Sequence, residues 1–455
     1  MNIENIKNIY FVGIGGIGMS ALARFFNERG AKVKGYDRTA TDLTRTLEAE
    51  GMDIHYEDDV QLLDSEAELV VYTPAIPQDH KELNWYRSRN YPVFKRSDVL
   101  QWITESMFAI TVAGTHGKTT ISTMIAHILT HSGYGCNAFL GGIASNYNKN
   151  YWGSAGNTAV IEADEYDRSF LKLRPDLAVL SAMDADHLDI YGNLDALVEA
   201  FVQYTRNIKP SGTLWAKHGL RHGNRLEAAH RNSYSLQNDA ADACAANIQI
   251  SDGGYTFDVI GKGWMLQQVR LNIGGMHNIE NCVVAVAVAK QLDIGDTLIK
   301  AAVADFKGVK RRFEYVVKTE ETVYIDDYAH HPEELAALIK SAKSLFPGKR
   351  CVVAFQPHLF SRTRDFADGF AQSLDMADEV LLLDIYPARE LPMEGVSIRT
   401  IADRMGNPNH TILSREGLVE YAAKAPVELL ITAGAGDIDK LVAPIKEAIL
   451  SKAGK

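Results

Sequence analysis

One segment of this sequence asks for an anion before anything is known of its fold. Gly114-Thr115-His116-Gly117-Lys118-Thr119-Thr120 follows an apolar run, Phe108 to Ala113, and precedes a helical pattern. A glycine-rich turn between a strand and a helix presents backbone N–H groups to phosphate oxygens. The helix macrodipole disfavours a cation at that end, so Lys118 calls for a negative partner. Its charge suits β- and γ-phosphate oxygens, and the Thr119 hydroxyl suits Mg²⁺. The spacing is G-x-x-G-K-T-T, which departs from the general G-x-x-x-x-G-K-[ST] because Val112 and Ala113 precede Gly114.

A second turn, Gly13-Ile14-Gly15-Gly16-Ile17-Gly18, fits G-x-G-x-x-G, and Asp37 ends the next strand. In strand–turn–helix context this spacing brings backbone N–H groups to a diphosphate. The residues leave NAD and a nucleoside-diphosphate sugar both open, beside a plain tight turn for helix–strand packing. Two further runs carry acids past apolar strands: Glu162-Ala163-Asp164-Glu165-Tyr166-Asp167 and Asp184-Ala185-Asp186-His187-Leu188-Asp189. Carboxylates crowded at strand ends repel unless a cation sits among them, and a solvated acidic loop is the other reading.

The elements that must position these groups read as alternating α/β. Strands are expected at Asn8 to Val12, Lys32 to Tyr36, Glu68 to Tyr72, Phe108 to Ala113, Thr158 to Glu162 and Asp176 to Ser181. Others are expected at Thr322 to Ile325, Arg350 to Phe355, Glu379 to Leu383 and Val427 to Thr432. Helices are expected at Ile17 to Arg29, Thr41 to Glu50, Leu194 to Asn207, Ile279 to Gln291, Pro332 to Leu345, Phe366 to Met376 and Ile398 to Met405. Apolar runs without alternation, separated by helices, predict parallel sheets covered on both faces. Leu220 to Val269 is more polar and Gly-rich and reads as shorter antiparallel strands.

The chain's 455 residues suggest about three domains at roughly 150 each. A net charge of −11 argues against nucleic-acid or anionic-membrane binding. The four cysteines are scattered without C-x-x-C spacing, which fits a reduced cytoplasmic protein. No apolar run reaches the roughly 18 residues a membrane span needs.

Gly114 to Thr120, Glu162 to Asp167, Asp186-His187 and Met276-His277-Asn278, in that order, resemble the Mur ligases, ATP-dependent amide-forming enzymes of peptidoglycan precursor synthesis. Phe11 to Gly16, Asp326-Asp327-Tyr328-Ala329-His330-His331-Pro332, and Phe355-Gln356-Pro357-His358 running to Arg362-Thr363-Arg364-Asp365 narrow the resemblance to the members that add the first amino acid. The resemblance implies three α/β domains. A Rossmann-like domain over 1–106 would hold the UDP-sugar, a central P-loop α/β ATPase-type domain over 107–313 would hold ATP, and a Rossmann-like domain over 314–455 would close over ATP and bind the amino acid. The implied substrates are UDP-N-acetylmuramate, L-alanine and ATP, with Mg²⁺.

By motif, Gly13, Gly15, Gly16, Ile17, Gly18 and Asp37 would contact the UDP-sugar. Gly114, Thr115, His116, Gly117, Lys118, Thr119, Thr120, His277, Asn278, Asn281, Arg312 and Asp327 would contact ATP. Thr119, Glu162 and His187 would hold the metal. Tyr328, His330, His358 and Arg362 would take the amino acid, while Lys118, Arg312 and His330 would act in catalysis. Read on its own, Asn278 also suits a helix N-cap before Ile279, and Arg311-Arg312 a solvated linker pair. Leu359 stands where many relatives carry Arg, and no lysine lies between Asp186 and Lys209 to serve as a carbamate. A recycling ligase that adds a tripeptide, an NAD-dependent oxidoreductase and a non-catalytic P-loop switch are the alternatives.

Overall fold

The computed structural model describes residues 3–185, 187–388 and 390–453. Five short apolar segments near the N-terminus pair into one wholly parallel sheet. They are β1 (Asn8–Val12), β2 (Lys32–Tyr36), β3 (Asp53–His55), β4 (Leu69–Tyr72) and β5 (Val93–Lys95), in the order β3-β2-β1-β4-β5. Ile9, Tyr10, Phe11 and Val12 are all buried because helices cover both faces, so β1 reads as a continuous apolar run. The order is that of the first strands of a Rossmann sheet, with β1 carrying the glycine turn at its C-terminal end. The following helix, Ile17–Glu28, stops one residue before the expected end, and a Thr41–Thr44 capping box starts helix Asp42–Ala49.

Ten strands form the central sheet. They are β6 (Phe108–Ala113), β7 (Asn137–Ala144), β8 (Lys149–Trp152), β9 (Thr158–Glu162), β10 (Leu177–Leu180), β11 (Thr213–Lys217), β12 (His230–Ser235), β13 (Ala243–Ser251), β14 (Gly254–Gly261) and β15 (Trp264–Leu271). Their order is β15-β14-β13-β12-β11-β10-β6-β9-β7-β8. Strands β12 and β13 continue the sheet in parallel, which corrects the antiparallel expectation for the start of the polar stretch. β7 and β8 form an antiparallel hairpin that the residue pattern hides behind glycines and asparagines. Register puts Ala113 opposite Leu180 and Val112 opposite Glu162, so the phosphate-type turn and both acidic runs leave one edge of the sheet. The Ala/Val helix runs Met276–Gln291, three residues earlier than expected, and Cys282 to Ala289 are buried on every side. Asn278 therefore lies inside its first turn and is no N-cap.

The third sheet comprises β16 (Glu314–Lys318), β17 (Val323–Asp327), β18 (Cys351–Phe355), β19 (Glu379–Leu382), β20 (His410–Ile412) and β21 (Leu429–Ala433), in the order β16-β17-β21-β18-β19-β20. Only β16 is antiparallel. Asp327 and Phe355 both stand opposite Ala433, which brings the two C-terminal motifs to one edge. Pro332 opens helix Pro332–Leu345 as expected. The expected helices at Phe366 and Ile398 are shorter, Ala367–Leu374 and Arg399–Ala402, and an extra helix, Phe360–Asp365, carries Arg362.

The chain divides into two compact units, 1–246 with 258–269 and 280–304, and 247–257 with 270–279 and 305–455. Within the first unit one apolar core draws on residues from Ile3 to Leu226, with Phe25 packed 5.3 Å from Phe139 and 6.2 Å from Tyr151, centroid to centroid, and a smaller one gathers Tyr10, Val12, Val70 and Tyr86 on the other face of the N-terminal sheet. All four cysteines are free and buried, and no helix among the described residues is long and apolar enough to cross a membrane. Phe201, fully buried against Phe170, reports on the first unit's core. Phe201→Ala is expected to lower its stability by roughly 3–5 kcal/mol, seen as a lower denaturant midpoint at unchanged slope.

Candidate active site

Lys118 is the first residue of helix Lys118–His131, and Gly117, at φ 81°, turns the chain into it. Gly114 adopts φ 131°, and a Cβ there would lie 2.7 Å from the Ala182 nitrogen, so only glycine brings the loop this close to β10. Thr115 is held on both sides: its N–H donates to the Ala182 carbonyl at 3.2 Å, and its hydroxyl accepts from the Asp184 N–H at 3.2 Å. His116 is exposed beside Asp184, while Thr120 is buried in the first helical turn.

The Lys118 ammonium donates to the Gly114 carbonyl at 2.9 Å and to Glu165 at 2.8–3.0 Å. Glu165 is fully buried, and burial raises its pKa while Lys118 pulls it down. The expectation that an external anion must offset Lys118 is thereby corrected: the chain supplies its own, because the turn after β9 folds Glu165 back under the loop. Glu165 is one of four acids in its run, and residue pattern alone did not single it out. Its neighbour in the same run, Glu162, points elsewhere. One Glu162 oxygen accepts from the Thr119 hydroxyl at 2.9 Å and the other from the Gly141 N–H, on β7, at 2.8 Å. His187 Nε2 stands 3.6 Å from Glu165 Oε1, so it joins the Lys118 carboxylate. Asp186 lies outside the described residues. Among the described residues no three His, Cys, Asp or Glu side chains converge to hold a metal. The hard oxygens of Thr119 and Glu162 do fit Mg²⁺, which keeps several waters. Asn281 also reaches this loop; its Oδ1 lies 3.2 Å from where a Cβ on Gly117 would stand.

At the N-terminal turn, Asp37 accepts the Gly15 N–H at 2.8 Å and the Thr39 N–H at 3.2 Å, so its carboxylate shapes the turn itself. Gly16 precedes the helix, leaving the Ile17 and Gly18 N–H groups at its open end. Arg96, which the residue pattern did not single out, places Nη1 2.7 Å from where a Cβ on Gly18 would stand. Its position at the start of helix Arg96–Ser106 brings a cation to the turn from a distant point in the chain.

In the second unit, Asp327 accepts the Phe313 and Ala329 N–H groups, both at 2.7 Å, and burial raises its pKa to about 6. Arg312 is exposed beside it, and His277 is exposed at the start of its helix. Asn278 is buried and donates to the Gly274 carbonyl at 2.6 Å. Arg311 is no solvated linker residue: it donates to the Gly434 carbonyl, pairs with Asp439 at 3.3 Å, and stacks over Tyr328.

The four residues expected to take the amino acid do meet. Tyr328 lies 5.1 Å from His330, and His330 lies 6.4 Å from His358, ring to ring. His358 stacks on Tyr386, and the nearby Arg362 charge adds to burial in lowering its pKa. His330 Nδ1 is 3.0 Å from the Tyr328 carbonyl, and burial outweighs Glu334 in lowering its pKa. Two buried atoms of this corner, His358 Nδ1 and Arg362 Nη1, have no hydrogen-bond partner among the described residues. Between them Leu359 is held at φ 73°, a costly conformation for a residue with a Cβ. Its N–H is tied to the Tyr386 carbonyl and its carbonyl to Thr363.

Three family models match the chain: the Mur ligase family catalytic domain over residues 8–107, the Mur ligase middle domain over 112–289, and the Mur ligase glutamate ligase domain over 311–436. The UDP-N-acetylmuramate–L-alanine ligase of Flavobacterium johnsoniae is 46% identical over 99% of both chains. That of Parabacteroides distasonis is 47% identical over the full length of both. Among solved structures, the UDP-N-acetylmuramate-alanine ligase of Thermotoga maritima superposes with a TM-score of 0.80 at 28% identity, covering 99% of each chain. The chain belongs to the Mur ligase family.

The tight approach of Gly141 to Glu162 gives a direct test of the carboxylate's role. A methyl on Gly141 would sit 2.5 Å from both carboxylate oxygens. Gly141→Ala is expected to weaken Mg²⁺-dependent ATP binding roughly tenfold, read by titration calorimetry with and without Mg²⁺. Affinity equal to the parent's would detach Glu162 from the metal.

Proposed function

We propose that this chain joins L-alanine to the lactyl carboxylate of UDP-N-acetylmuramate, using ATP and releasing ADP and phosphate, in the cytoplasm. The observation that carries the reading is full-length identity of 46–47% to ligases of that name. The glycine turn at 13–18, with Asp37 and Arg96, takes the UDP-sugar. The loop 114–120, with Asn281 beside it, takes the ATP phosphates.

A carboxylate is a poor electrophile, so the reaction activates it as an acyl phosphate, which the amine then attacks. Lys118 moves from Glu165 toward phosphate oxygens and spreads the charge of the transferring group. Buried Glu165 holds that ammonium in place before the nucleotide arrives. Mg²⁺, held by Thr119 and Glu162 with His187 nearby, would supply further charge neutralisation at the phosphates. His358 Nδ1 and Arg362 Nη1, without a partner among the described residues, donate to the amino-acid carboxylate. His330 takes the amine's proton, since its lowered pKa keeps the imidazole neutral near pH 7.

That cationic corner also separates L-alanine from a tripeptide acceptor. A free α-carboxylate fills two buried donors, whereas the first residue of a peptide offers only a neutral amide carbonyl.

Phosphate release from UDP-N-acetylmuramate, ATP and Mg²⁺ against a panel of amino acids and an L-alanine-initiated tripeptide tests the assignment. L-alanine should give the largest rate. A tripeptide preference would shift the reading to the recycling ligase, and no amino-acid dependence would end it. Lys118→Ala should lower phosphate release by roughly 10²–10³-fold while UDP-sugar binding persists. For the base the sign follows from the lowered pKa. The parent loses activity as pH falls through the His330 pKa. His330→Asn should lack that acid limb and lose most at and above neutrality; a parent-like profile would clear His330 of the role.

A further inference from the structure

A buried residue of the central sheet grips the helix that leaves the glycine turn. Asn150, on β8, is fully buried, and both ends of its amide are engaged. Its Nδ2 donates to the Ile17 carbonyl at 2.5 Å and to Ser20 Oγ at 3.0 Å, while its Oδ1 accepts from Arg24. Arg24, itself buried, pairs through Nε with Glu50 at 2.7 Å, and Lys149 reaches the same carboxylate at 3.5 Å. The Ser20 hydroxyl adds a second side-chain donor to the Ile17 carbonyl at 2.9 Å.

The Ile17 carbonyl shares its peptide unit with the Gly18 N–H. That N–H is the second of the helix and has no intrahelical acceptor. Hydrogen bonds received by a carbonyl polarise the whole peptide unit and strengthen the N–H on its other side. The two side-chain donors on Ile17 therefore strengthen and orient the N–H at the helix's open end, beside Arg96.

We propose that Asn150 is a positioning residue for the diphosphate of the UDP-sugar, acting through the Ile17–Gly18 peptide. The inference rests on the reading that the turn 13–18 holds that diphosphate. It makes the turn complete only when the β7–β8 hairpin is in place, and the same hairpin supplies the Gly141 N–H that holds Glu162.

Asn150→Asp keeps an acceptor for Arg24 and replaces the donor to Ile17 with an oxygen, so the variant retains its anchor while the polarising bond is lost. Phe25→Leu is the control, since it loosens the same interface through Phe139 and Tyr151 without touching the Ile17 carbonyl. UDP-N-acetylmuramate and, separately, ATP with Mg²⁺ are titrated into the full-length parent and both variants, with melting temperatures recorded. Asn150→Asp should weaken UDP-N-acetylmuramate about tenfold and leave ATP affinity unchanged. Phe25→Leu should lower the melting temperature while keeping UDP-sugar affinity. Parent-like affinity in Asn150→Asp, or an equal loss in Phe25→Leu, overturns the inference. A parent that binds ATP but no UDP-sugar overturns the functional reading beneath it, and the parent titration alone identifies that case.

Discussion

A cation at the start of a helix works against the helix dipole, and the central sheet is arranged around that conflict. Lys118 can occupy its place because Glu165 lies buried beneath it and the Gly114 carbonyl faces it. Each arrangement exacts a constraint. Glu165 needs β9 to end beside the loop, and Gly114 must be glycine for the loop to reach β10. The resulting buried pair is poised rather than inert. Burial disfavours the Glu165 charge and Lys118 offsets that only in part, so in the proposed reaction a phosphate competes for an ammonium that is already largely buried.

The same logic of shared support extends along the β7–β8 hairpin. Its β7 strand presents Gly141 to Glu162, and its β8 strand presents Asn150 to the helix from the glycine turn. The two edges proposed to bind ligands therefore lean on one hairpin, with Phe25, Phe139 and Tyr151 filling the space between. This packing explains why the N-terminal sheet and strands β6 to β12 of the central sheet belong to a single compact unit, although each sheet has its own strand order.

In the second unit the functional edge is held by backbone strain and backbone capping. Asp327 ties down two N–H groups and Arg311 clamps the loop after β21. Leu359, at φ 73°, is fixed by hydrogen bonds to Tyr386 and Thr363, and that geometry sets His358 and Arg362 on either side of it. The cost of a strained leucine, about 1–3 kcal/mol, is offset where the surrounding contacts determine the conformation.

Local pattern alone determined the α/β class, most strands buried on both faces, and the two glycine turns. Those features depend on neighbours in the chain: apolar runs, glycines at fixed offsets, and a lysine next to a turn. Pattern also brought Tyr328, His330, His358 and Arg362 under suspicion through motif resemblance, and the fold gathers them. Contact between distant segments decided the rest. The hairpin Asn137–Trp152 stayed hidden because its glycines and asparagines carry little strand propensity, and its stability comes from the helix and strand packed on it. Glu165 was one acid among four until the turn after β9 buried it. Arg96 and Asn150 carried no signal at all, because their roles arise 78 and 133 residues away from Gly18 and Ile17 and need tertiary packing to bring them together.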